Sequence, residues 1–469
     1  MADVGQLFAA IVGDAYVSAG DAVSDDYAHD EALTATWQRP AAVVRPADTA
    51  EVARVLAAAN ERGIPVTARG SGTGLSGACT PHADGIVVSF ERMAAICEID
   101  TQNHVAVVQP GVTLDQLDAA TREHDLVYPV FPGEYSASLG GNVATNAGGM
   151  RAVKYGVTRH QVLGIEAVLA NGEIVRSGGK FVKATTGYDL TQLITGSEGT
   201  LALVTEATLR LYPRLEHSAT VLAPFAVLDE VTHAVPRIVA SGVAPMVLEY
   251  IDVMTMASIT ASAGLDLGIP QAVKDAALAY LVVVLEERTQ DRLDESVGEL
   301  GALLGELGAI DVYVLPAHSG QQLISAREKS FWVAKAAGAN DIIDMVVPRA
   351  QISEYVTKVG ELAQLYESLV VGCGHAGDGN VHLAVFQPDS EKRYKLLRGI
   401  FEAGMALGGA ISGEHGLGTE KRRYFEELED PAKIALMRRI KVAFDPNGIL
   451  NPGTIFEPNH QPTNHEVTA

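Results

Sequence analysis

Two glycine-rich segments constrain what this chain of 469 residues can fold into. The first, residues 69–77 with the sequence RGSGTGLSG, follows a predicted strand and contains a G-x-G-x-x-G match to the dinucleotide-binding fingerprint. That fingerprint needs a helix directly after the glycines, whereas residues 80–85 include Pro81 and Gly85 and have no helical period. We therefore exclude a Rossmann domain. Two interpretations remain: an ordinary glycine-rich turn, or a loop whose N–H groups bind a phosphate together with Arg69.

The second glycine-rich segment spans residues 131–149 and contains small polar residues with few bulky ones. Backbone of this kind usually lies against another group. Asn142, Thr145 and Asn146 are polar groups suited to orienting a planar heterocycle or its ribityl chain. Two such segments in one domain favour a large diphosphate-containing ligand over two unrelated turns.

Short apolar β runs alternate with helical patterns along the chain, which predicts an α+β protein. Capping boxes at Asp48-x-x-Glu51 and Thr113-x-x-Gln116 mark two helix starts, and Pro431 opens a last helix that Pro446 stops. We predict five units: a helical extension 1–37, a ligand domain 38–215, a second α+β domain 216–405, a closing segment 406–456 and a loose tail 457–469.

Charge and cysteine content exclude several classes of protein. There are 35 Lys and Arg against 58 Asp and Glu, a formal charge of −23 that opposes binding to nucleic acid or anionic membrane. Cys79, Cys97 and Cys373 have no C-x-x-C spacing, so neither a disulfide framework nor a Cys-ligated iron–sulfur cluster is expected. No charge-free apolar stretch reaches the roughly 18–20 residues of a spanning helix. We expect a cytoplasmic protein.

A pair of histidines suggests a metal site. Residues 368–373 and 381–386 are predicted to be strands joined by a tight return, which would bring His375 and His382 to one end of a hairpin. Two imidazoles and one carboxylate make a plausible Zn²⁺ or Mn²⁺ site, with Glu414 as the natural third ligand. Asp378 stays open as an alternative ligand.

His415 follows Glu414 directly, and adjacent side chains tend to project in different directions, so His415 cannot easily bind the same metal as Glu414. An unperturbed imidazole titrates near pH 6.5, which suits a general base. We therefore predict that His415 acts as a base beside the metal.

Six longer motifs resemble a known family. Residues 69–77, 140–149 and 196–206 are similar to the FAD-binding domain of the vanillyl-alcohol-oxidase superfamily. Three further motifs resemble the C-terminal domain of its FAD-linked 2-hydroxyacid dehydrogenases, which include D-lactate dehydrogenases, D-2-hydroxyglutarate dehydrogenases and the FAD subunit of glycolate oxidase: 374–382, 413–418 and 445–453. The resemblance implies a two-subdomain FAD-binding domain, an α+β substrate (cap) domain and a C-terminal helical segment that closes on the flavin.

The resemblance also implies which residues hold non-covalent FAD. Relatives with covalent flavin often carry His after the Arg-Gly pair, where this chain has Ser71. The pyrophosphate is expected on Arg69, Gly70, Ser71, Gly72, Thr73, Gly74 and Leu75. The flavin is expected on Pro132, Gly133, Ser138, Gly141, Asn142, Thr145, Asn146 and Gly148, and the adenosine on Glu198 and Val204.

For catalysis the resemblance implies that His415 accepts the substrate hydroxyl proton, that Arg327 binds the substrate carboxylate, and that Asn380 hydrogen-bonds substrate or flavin. The expected reaction converts a D-2-hydroxy acid to a 2-oxo acid, with hydride passing to flavin N5. Electrons would then leave to an external acceptor: a quinone, an electron-transfer flavoprotein, a separate iron–sulfur subunit or oxygen. A non-catalytic flavin- or metal-binding protein on the same fold is the alternative, and a homodimer is left open.

Substrate size separates the branches of this family. Counting from Arg327 without gaps, D-2-hydroxyglutarate dehydrogenases place Thr and Lys where this chain has Phe331 and Ile342. We therefore expect D-lactate, glycolate or a slightly larger apolar acid to be a better substrate than D-2-hydroxyglutarate, unless Lys329 or Lys335 supplies the missing charge.

Overall fold

A computed structural model of the protein describes residues 2–458, so the predicted tail lies outside the described residues from position 459 onward. None of the described helices is both long and apolar enough to cross a membrane. The N-terminal stretch begins with helix α1 (Ala2–Val12) and continues through short 3-10 turns.

The first sheet has four strands in the order β1-β2-β4-β3, with β2 and β3 parallel to β4. They are β1 (Val17–Ala19), β2 (Ala42–Val44), β3 (Val66–Arg69) and β4 (Ile86–Ser89). Helix α2 (Thr49–Arg62) packs on this sheet together with α1. The N-cap predicted for α2 is confirmed, because Asp48 Oδ1 accepts the Glu51 N–H at 2.8 Å, but the capping box is not complete: Glu51 Oε2 accepts the N–H of Ala47 at 2.8 Å, one residue before the cap.

The second sheet is antiparallel, with strand order β5-β6-β10-β8-β9, and a small pair β7-β11 flanks it. Its strands are β5 (Ile96–Asp100), β6 (Val105–Val108), β7 (Leu126–Val127), β8 (Val162–Val168), β9 (Ile174–Gly178), β10 (Leu203–Arg210) and β11 (Tyr212–Pro213). Its helices are α3 (Leu114–Arg122), α4 (Leu139–Thr145), α5 (Ala152–Tyr155), α6 (Thr158–Gln161) and α7 (Leu190–Ile194).

Helix α4 differs from the sequence-based expectation, which treated residues 140–149 as glycine-rich loop. Ser138 caps the helix by accepting the Gly141 N–H at 3.2 Å, and the helix ends at Asn146 in the left-handed region with φ of 54°. Gly140 is required by a close contact and not by a loop conformation, because a Cβ at this position would collide with Pro110.

The third sheet has seven antiparallel strands in the order β15-β12-β14-β13-β17-β18-β16. They are β12 (His217–Phe225), β13 (Val247–Asp252), β14 (Ala279–Glu287), β15 (Tyr313–Leu315), β16 (Asp341–Val346), β17 (Leu369–His375) and β18 (Asn380–Phe386). The sequence predicts strands at 280–285 and 311–315, which correspond to β14 and β15, and it predicts the β17–β18 hairpin, but it gives no strand for β12, β13 or β16.

Helices cover both faces of this sheet. Eight follow in chain order: α8 (Leu228–Ala240), α9 (Val253–Ala263), α10 (Gln271–Ala276), α11 (Gln290–Glu306), α12 (Ala317–Glu328), α13 (Ser330–Ala336), α14 (Ile352–Leu365) and α15 (Ser390–Ala406). Helices α8, α11, α14 and α15 bury the larger core on one face. Helices α9 and α12 pack on the other face, where the candidate site lies.

The C-terminal segment ties the third sheet back to the first. It contains α16 (Arg422–Leu428) and α17 (Pro431–Phe444), and the latter begins and ends as the sequence predicts. Residues 449–451 then pair beside β3: the Val66 N–H donates to Ile449 O at 2.8 Å, and the Asn451 N–H donates to Val66 O at 2.8 Å. Buried Asp445 holds this return by accepting the Ile449 and Leu450 N–H groups at 3.0 and 2.8 Å.

Candidate functional site

The β17–β18 hairpin brings His375 and His382 together, with ring centroids 4.8 Å apart. His375 ends β17 opposite Asn380, and His382 stands opposite Cys373 on the neighbouring strand. The return needs glycine at position 379, because φ is 91° and a Cβ would collide with the Val347 carbonyl.

Glu414 completes a three-residue group. Its Oε1 lies 3.1 Å from Nε2 of both His375 and His382, and all three side chains are largely buried. On its far side His375 Nδ1 contacts Glu249 Oε1 at 2.6 Å, the kind of carboxylate contact that orients metal-binding imidazoles. Nε2 of His375, Nε2 of His382 and Oε1 of Glu414 therefore fit a divalent metal. Asp378 belongs to neither of the metal-ligand groups found among residues 2–458.

Charge in this group is strongly coupled. Burial disfavours the charged form of His375, but Glu249 and Glu414 outweigh it and raise the pKa of the imidazole well above its usual value. Burial likewise disfavours ionised Glu414, yet the two histidines hold its pKa well below the usual range. The site thus attracts positive charge, from protons or from a metal ion.

Asp344 on β16 organises the segment that carries Glu414, residues 412–418. Its Oδ2 accepts the Ser412 hydroxyl at 2.7 Å and three successive N–H groups, of residues 413–415, at 2.8–3.0 Å. Its Oδ1 accepts from Asn380 Nδ2 at 2.7 Å. Burial opposes the charge on Asp344, but His415 and His382 keep the pKa of the carboxyl low.

The loop before β10 and the first glycine-rich segment, residues 69–77, hold the other end of the 412–418 segment. Glu198 accepts the Leu417 and Gly418 N–H groups at 2.9 and 2.8 Å, and the Ser76 hydroxyl donates to the Gly416 carbonyl at 2.9 Å. Burial raises the pKa of Glu198 to about 7. The sequence-based expectation put Glu198 at the adenosine, so its bond to the 412–418 segment is an additional function of that carboxylate.

Arg327, near the end of α12, is 4% exposed and only partly satisfied. Its Nη2 forms an ion pair with Glu249 Oε2 at 2.7 Å, and Nη1 donates to Ser330 Oγ at 3.3 Å. Nε is buried and has no hydrogen-bond partner. Arg327 therefore retains a donor at Nε for a ligand carboxylate.

One cavity collects most of the predicted catalytic and metal residues. The residues that line it from the predicted site are Arg327, His375, His382, Glu414, His415, Leu75, Pro132 and Gly133. Asn380 lies behind it: its Nδ2 is bound to Asp344 and to Met345 O, and its Oδ1 contacts His382 Nε2 at 2.8 Å. Asn380 thus positions His382 instead of contacting the cavity.

A second cavity lies between the glycine-rich segments. Five predicted FAD residues line it: Gly70, Gly141, Thr145, Glu198 and Val204. Nearby, Asn142 Nδ2 is buried without a hydrogen-bond partner, so a polar ligand atom is missing at this point. This orphaned donor and the cavity between the two segments fit a dinucleotide.

The remaining predicted FAD residues are mostly engaged with the protein. Arg69 Nη1 donates to His29 O at 2.6 Å, and Ser71 bonds to Ser138 Oγ and to Ser136 O. Asn146 Oδ1 accepts the Arg159 N–H at 2.9 Å. Gly72, Thr73 and Gly74 lie in the loop between these contacts, and a Cβ at Gly148 would collide with Glu414.

Sequence reasoning missed Glu249, Asp344 and the cavity-lining Glu328. Glu249 and Asp344 could have been found in the sequence: each is a lone carboxylate inside an apolar run, MVLEYI and IIDMVV. A buried charge in such a run requires a partner.

Comparisons with known proteins agree with this architecture. Residues 40–178 match the FAD binding domain, and residues 214–455 match the C-terminal domain of FAD linked oxidases. An uncharacterized FAD-linked oxidoreductase of Mycobacterium tuberculosis is 59% identical over 97% of this chain and 99% of that protein. D-lactate dehydrogenase of Archaeoglobus fulgidus is 39% identical over 92% of this chain and 96% of that protein.

A solved structure of similar fold is 4-ethylphenol oxidase from Gulosibacter chungangensis, with TM-score 0.79 and 19% identity, covering 98% of this chain and 97% of that one. At this identity the likeness concerns the fold alone.

We expect Glu198→Gln to loosen the 412–418 segment, because an amide accepts one N–H group and turns its own NH₂ toward the other. Hydrogen exchange at the amides of Leu417 and Gly418 should accelerate about 10- to 100-fold, the effect of one lost buried hydrogen bond. Glu206→Gln, on a neighbouring strand and without this contact, is the control. Unchanged protection in Glu198→Gln would contradict the anchor.

Proposed function

This chain belongs to the FAD-linked 2-hydroxyacid dehydrogenase family of the vanillyl-alcohol-oxidase superfamily, and from that membership we propose that it oxidises a monocarboxylic D-2-hydroxy acid, of the D-lactate or glycolate type, to the 2-oxo acid in the cytoplasm. It is an FAD-linked oxidoreductase. The observation that carries the proposal is that buried Arg327, with its Nε donor unpaired, lines one cavity with His415 and the three-residue group.

Arg327 binds the substrate carboxylate through Nε, the donor without a partner, while Glu249 holds Nη2 at 2.7 Å and fixes the orientation of the guanidinium. The carboxylate then lies beside Arg327, with the 2-hydroxyl directed toward His415.

His415 accepts the hydroxyl proton on a ring nitrogen. Burial lowers the pKa of this imidazole, so the neutral form that a base requires is present at neutral pH. Its backbone N–H is fixed by Asp344, and its ring lies 5.0 Å from that of His382 between centroids. The base is therefore held beside the metal-ligand group.

Two further groups would complete the chemistry. FAD, which the two glycine-rich segments would hold, would supply the hydride acceptor, while the hydroxyl proton goes to His415; an external quinone, electron-transfer flavoprotein, iron–sulfur subunit or oxygen would be the final acceptor of the two electrons. A divalent metal, Zn²⁺ or Mn²⁺, which His375, His382 and Glu414 would hold, would supply Lewis-acid polarisation of the hydroxyl.

D-2-hydroxyglutarate is the less favoured substrate. Within the described part of the chain, Arg327 is the only Arg or Lys that lines the cavity. Lys335 pairs instead with Glu31 at 2.6 Å, and Lys329 is not in the lining. A second carboxylate would meet Phe331, Ile342 and Glu328, none of which compensates its charge.

The test is anaerobic titration of the flavoprotein with a panel of D and L hydroxy acids. We expect D-lactate or another D monocarboxylate to bleach the flavin and D-2-hydroxyglutarate to do so at least 100-fold less efficiently in kcat/KM, equivalent to about 3 kcal/mol. Failure of every hydroxy acid to bleach the flavin would favour the non-catalytic alternative.

Acid precipitation should release the yellow cofactor into the supernatant, because Ser71 offers no imidazole for covalent attachment. Absorbance of the supernatant and of the washed pellet measures the partition. Flavin that stays with the pellet would contradict non-covalent binding.

His415→Ala should keep FAD and metal but lose about 10²–10⁴ in the rate of flavin reduction, the usual contribution of a positioned base. His375→Ala should lose the metal as well. Metal analysis and stopped-flow reduction measure both effects, with exposed His233→Ala as the control. Full metal content in His375→Ala would exclude it as a ligand.

Glu328 should make substrate affinity depend on pH. Burial raises the pKa of this cavity carboxyl to about 7, so it is neutral below pH 7 and repels the substrate anion above it. KM should rise about tenfold between pH 6 and 8.5, the effect of a repulsion near 1.4 kcal/mol. Glu328→Gln should remove the rise, and exposed Glu354→Gln should retain it. The same slope in Glu328→Gln would assign it to another group.

A further inference from the structure

One face of the third sheet continues the cavity away from the histidines. Side chains alternate along a strand, so Cys373 and Val371 share the face of His375, and Ala384 and Phe386 share the face of His382. All four line the same cavity as Arg327. Val371 and Phe386 lie four residues from the histidines, or roughly 13 Å along the strands.

The register extends this surface sideways. On β16, Ile342 stands opposite Ala384, and on β17 Val371 stands opposite the same residue. Ile342, Ala384 and Val371 therefore form a continuous apolar surface, here called the apolar floor.

Helices close the cavity over the apolar floor. Helix α13 contributes Phe331 and Ala334, the exposed Ala337 follows directly after its end, and α9 contributes buried Ile259. The hydroxyls of Thr255 and Ser258 are uncharged polar groups on α9.

The charged residues of the lining are concentrated at the other end. Arg327 is adjacent to Glu328, and the rest belong to the group of Glu414 and the histidines. The cavity is thus divided into a charged end, which fits a hydroxy-carboxylate, and an apolar channel.

We propose that the substrate is a D-2-hydroxy monocarboxylic acid with an extended aliphatic side chain, at least six carbons in total, which lies on the apolar floor under α13. The chemistry of the oxidation rests on the proposed function; the side chain is the new element. A methyl group, as in lactate, covers only the part of the floor next to the histidines and leaves the remaining apolar surface in contact with water.

Chain length is the first test. Anaerobic flavin reduction is measured with the (R)-2-hydroxy acids of two to ten carbons, with (R)-3-phenyllactate and (R)-2-hydroxyglutarate alongside. We expect kcat/KM to rise about threefold to fourfold with each methylene beyond lactate until the floor is covered, so that the six- to eight-carbon acids exceed lactate at least 30-fold. Kd values of the matching 2-oxo acids, from perturbation of the oxidised flavin spectrum, should fall in the same order.

Variants of the floor are the second test. Ala384→Leu should lower the ratio of kcat/KM for 2-hydroxyoctanoate to that for 2-hydroxybutyrate at least tenfold, because its larger side chain fills the channel. Val371→Ala should shift the optimum to longer acids. The matched control is Val370→Ala, the same change one residue away, whose side chain faces the opposite core.

The outcomes separate the two claims. If glycolate or lactate is the best substrate, or if Val370→Ala and Val371→Ala change the profile equally, the extended side chain is excluded while the 2-hydroxyacid oxidation stands. If phenyllactate exceeds every aliphatic acid, the side chain is aromatic and the aliphatic assignment falls. If no acid reduces the flavin, the proposed function itself fails.

Discussion

The bonds from two buried carboxylates to the 412–418 segment are the constraint on which the site depends. Asp344 from the third sheet and Glu198 from the FAD domain together accept five backbone N–H groups of a segment that has no helix or strand of its own. Hydrogen bonds to ionised groups are the strong ones, and here they replace regular secondary structure. Because the backbone is fixed at both ends, Glu414 and His415 can serve different chemistry from adjacent positions.

The same carboxylates set the charge of the site. Glu249, Asp344 and Glu414 each contact His375 or His382, and of the three only Glu249 is paired with a guanidinium, that of Arg327, which leaves two negative charges in a buried region. Such an excess is costly unless it is neutralised. The raised pKa values of the two histidines express this excess, and a divalent cation would match it in amount and location. The excess negative charge and the set of ligand atoms thus both favour a divalent cation at this place.

Local patterns were readable from the sequence, and non-local ones were not. The N-cap at Asp48 and the β17–β18 hairpin each depend on residues close in the chain, so both were predicted. Strands β13 and β16 were missed, because β13 pairs with strands that begin 32 and 122 residues after it and no nearby turn marks either. Glu249 and Asp344 were missed with them, since their partners come from elsewhere in the fold. Helix α4 was missed because Gly140 is there to accommodate Pro110, a contact that the spacing of the glycines does not reveal.

The return of residues 449–451 to Val66 has a consequence for the order in which the protein can fold. The strands of the first sheet lie within residues 17–89, but the neighbour of β3 in this return follows all three sheets in the sequence. Asn451 also donates to the carbonyls of Ala78 and Glu198, the residue that anchors the 412–418 segment. A chain that lacks residues 449–451 therefore lacks part of the fastening of its 412–418 segment, so completion of the first sheet and fixing of that segment are coupled.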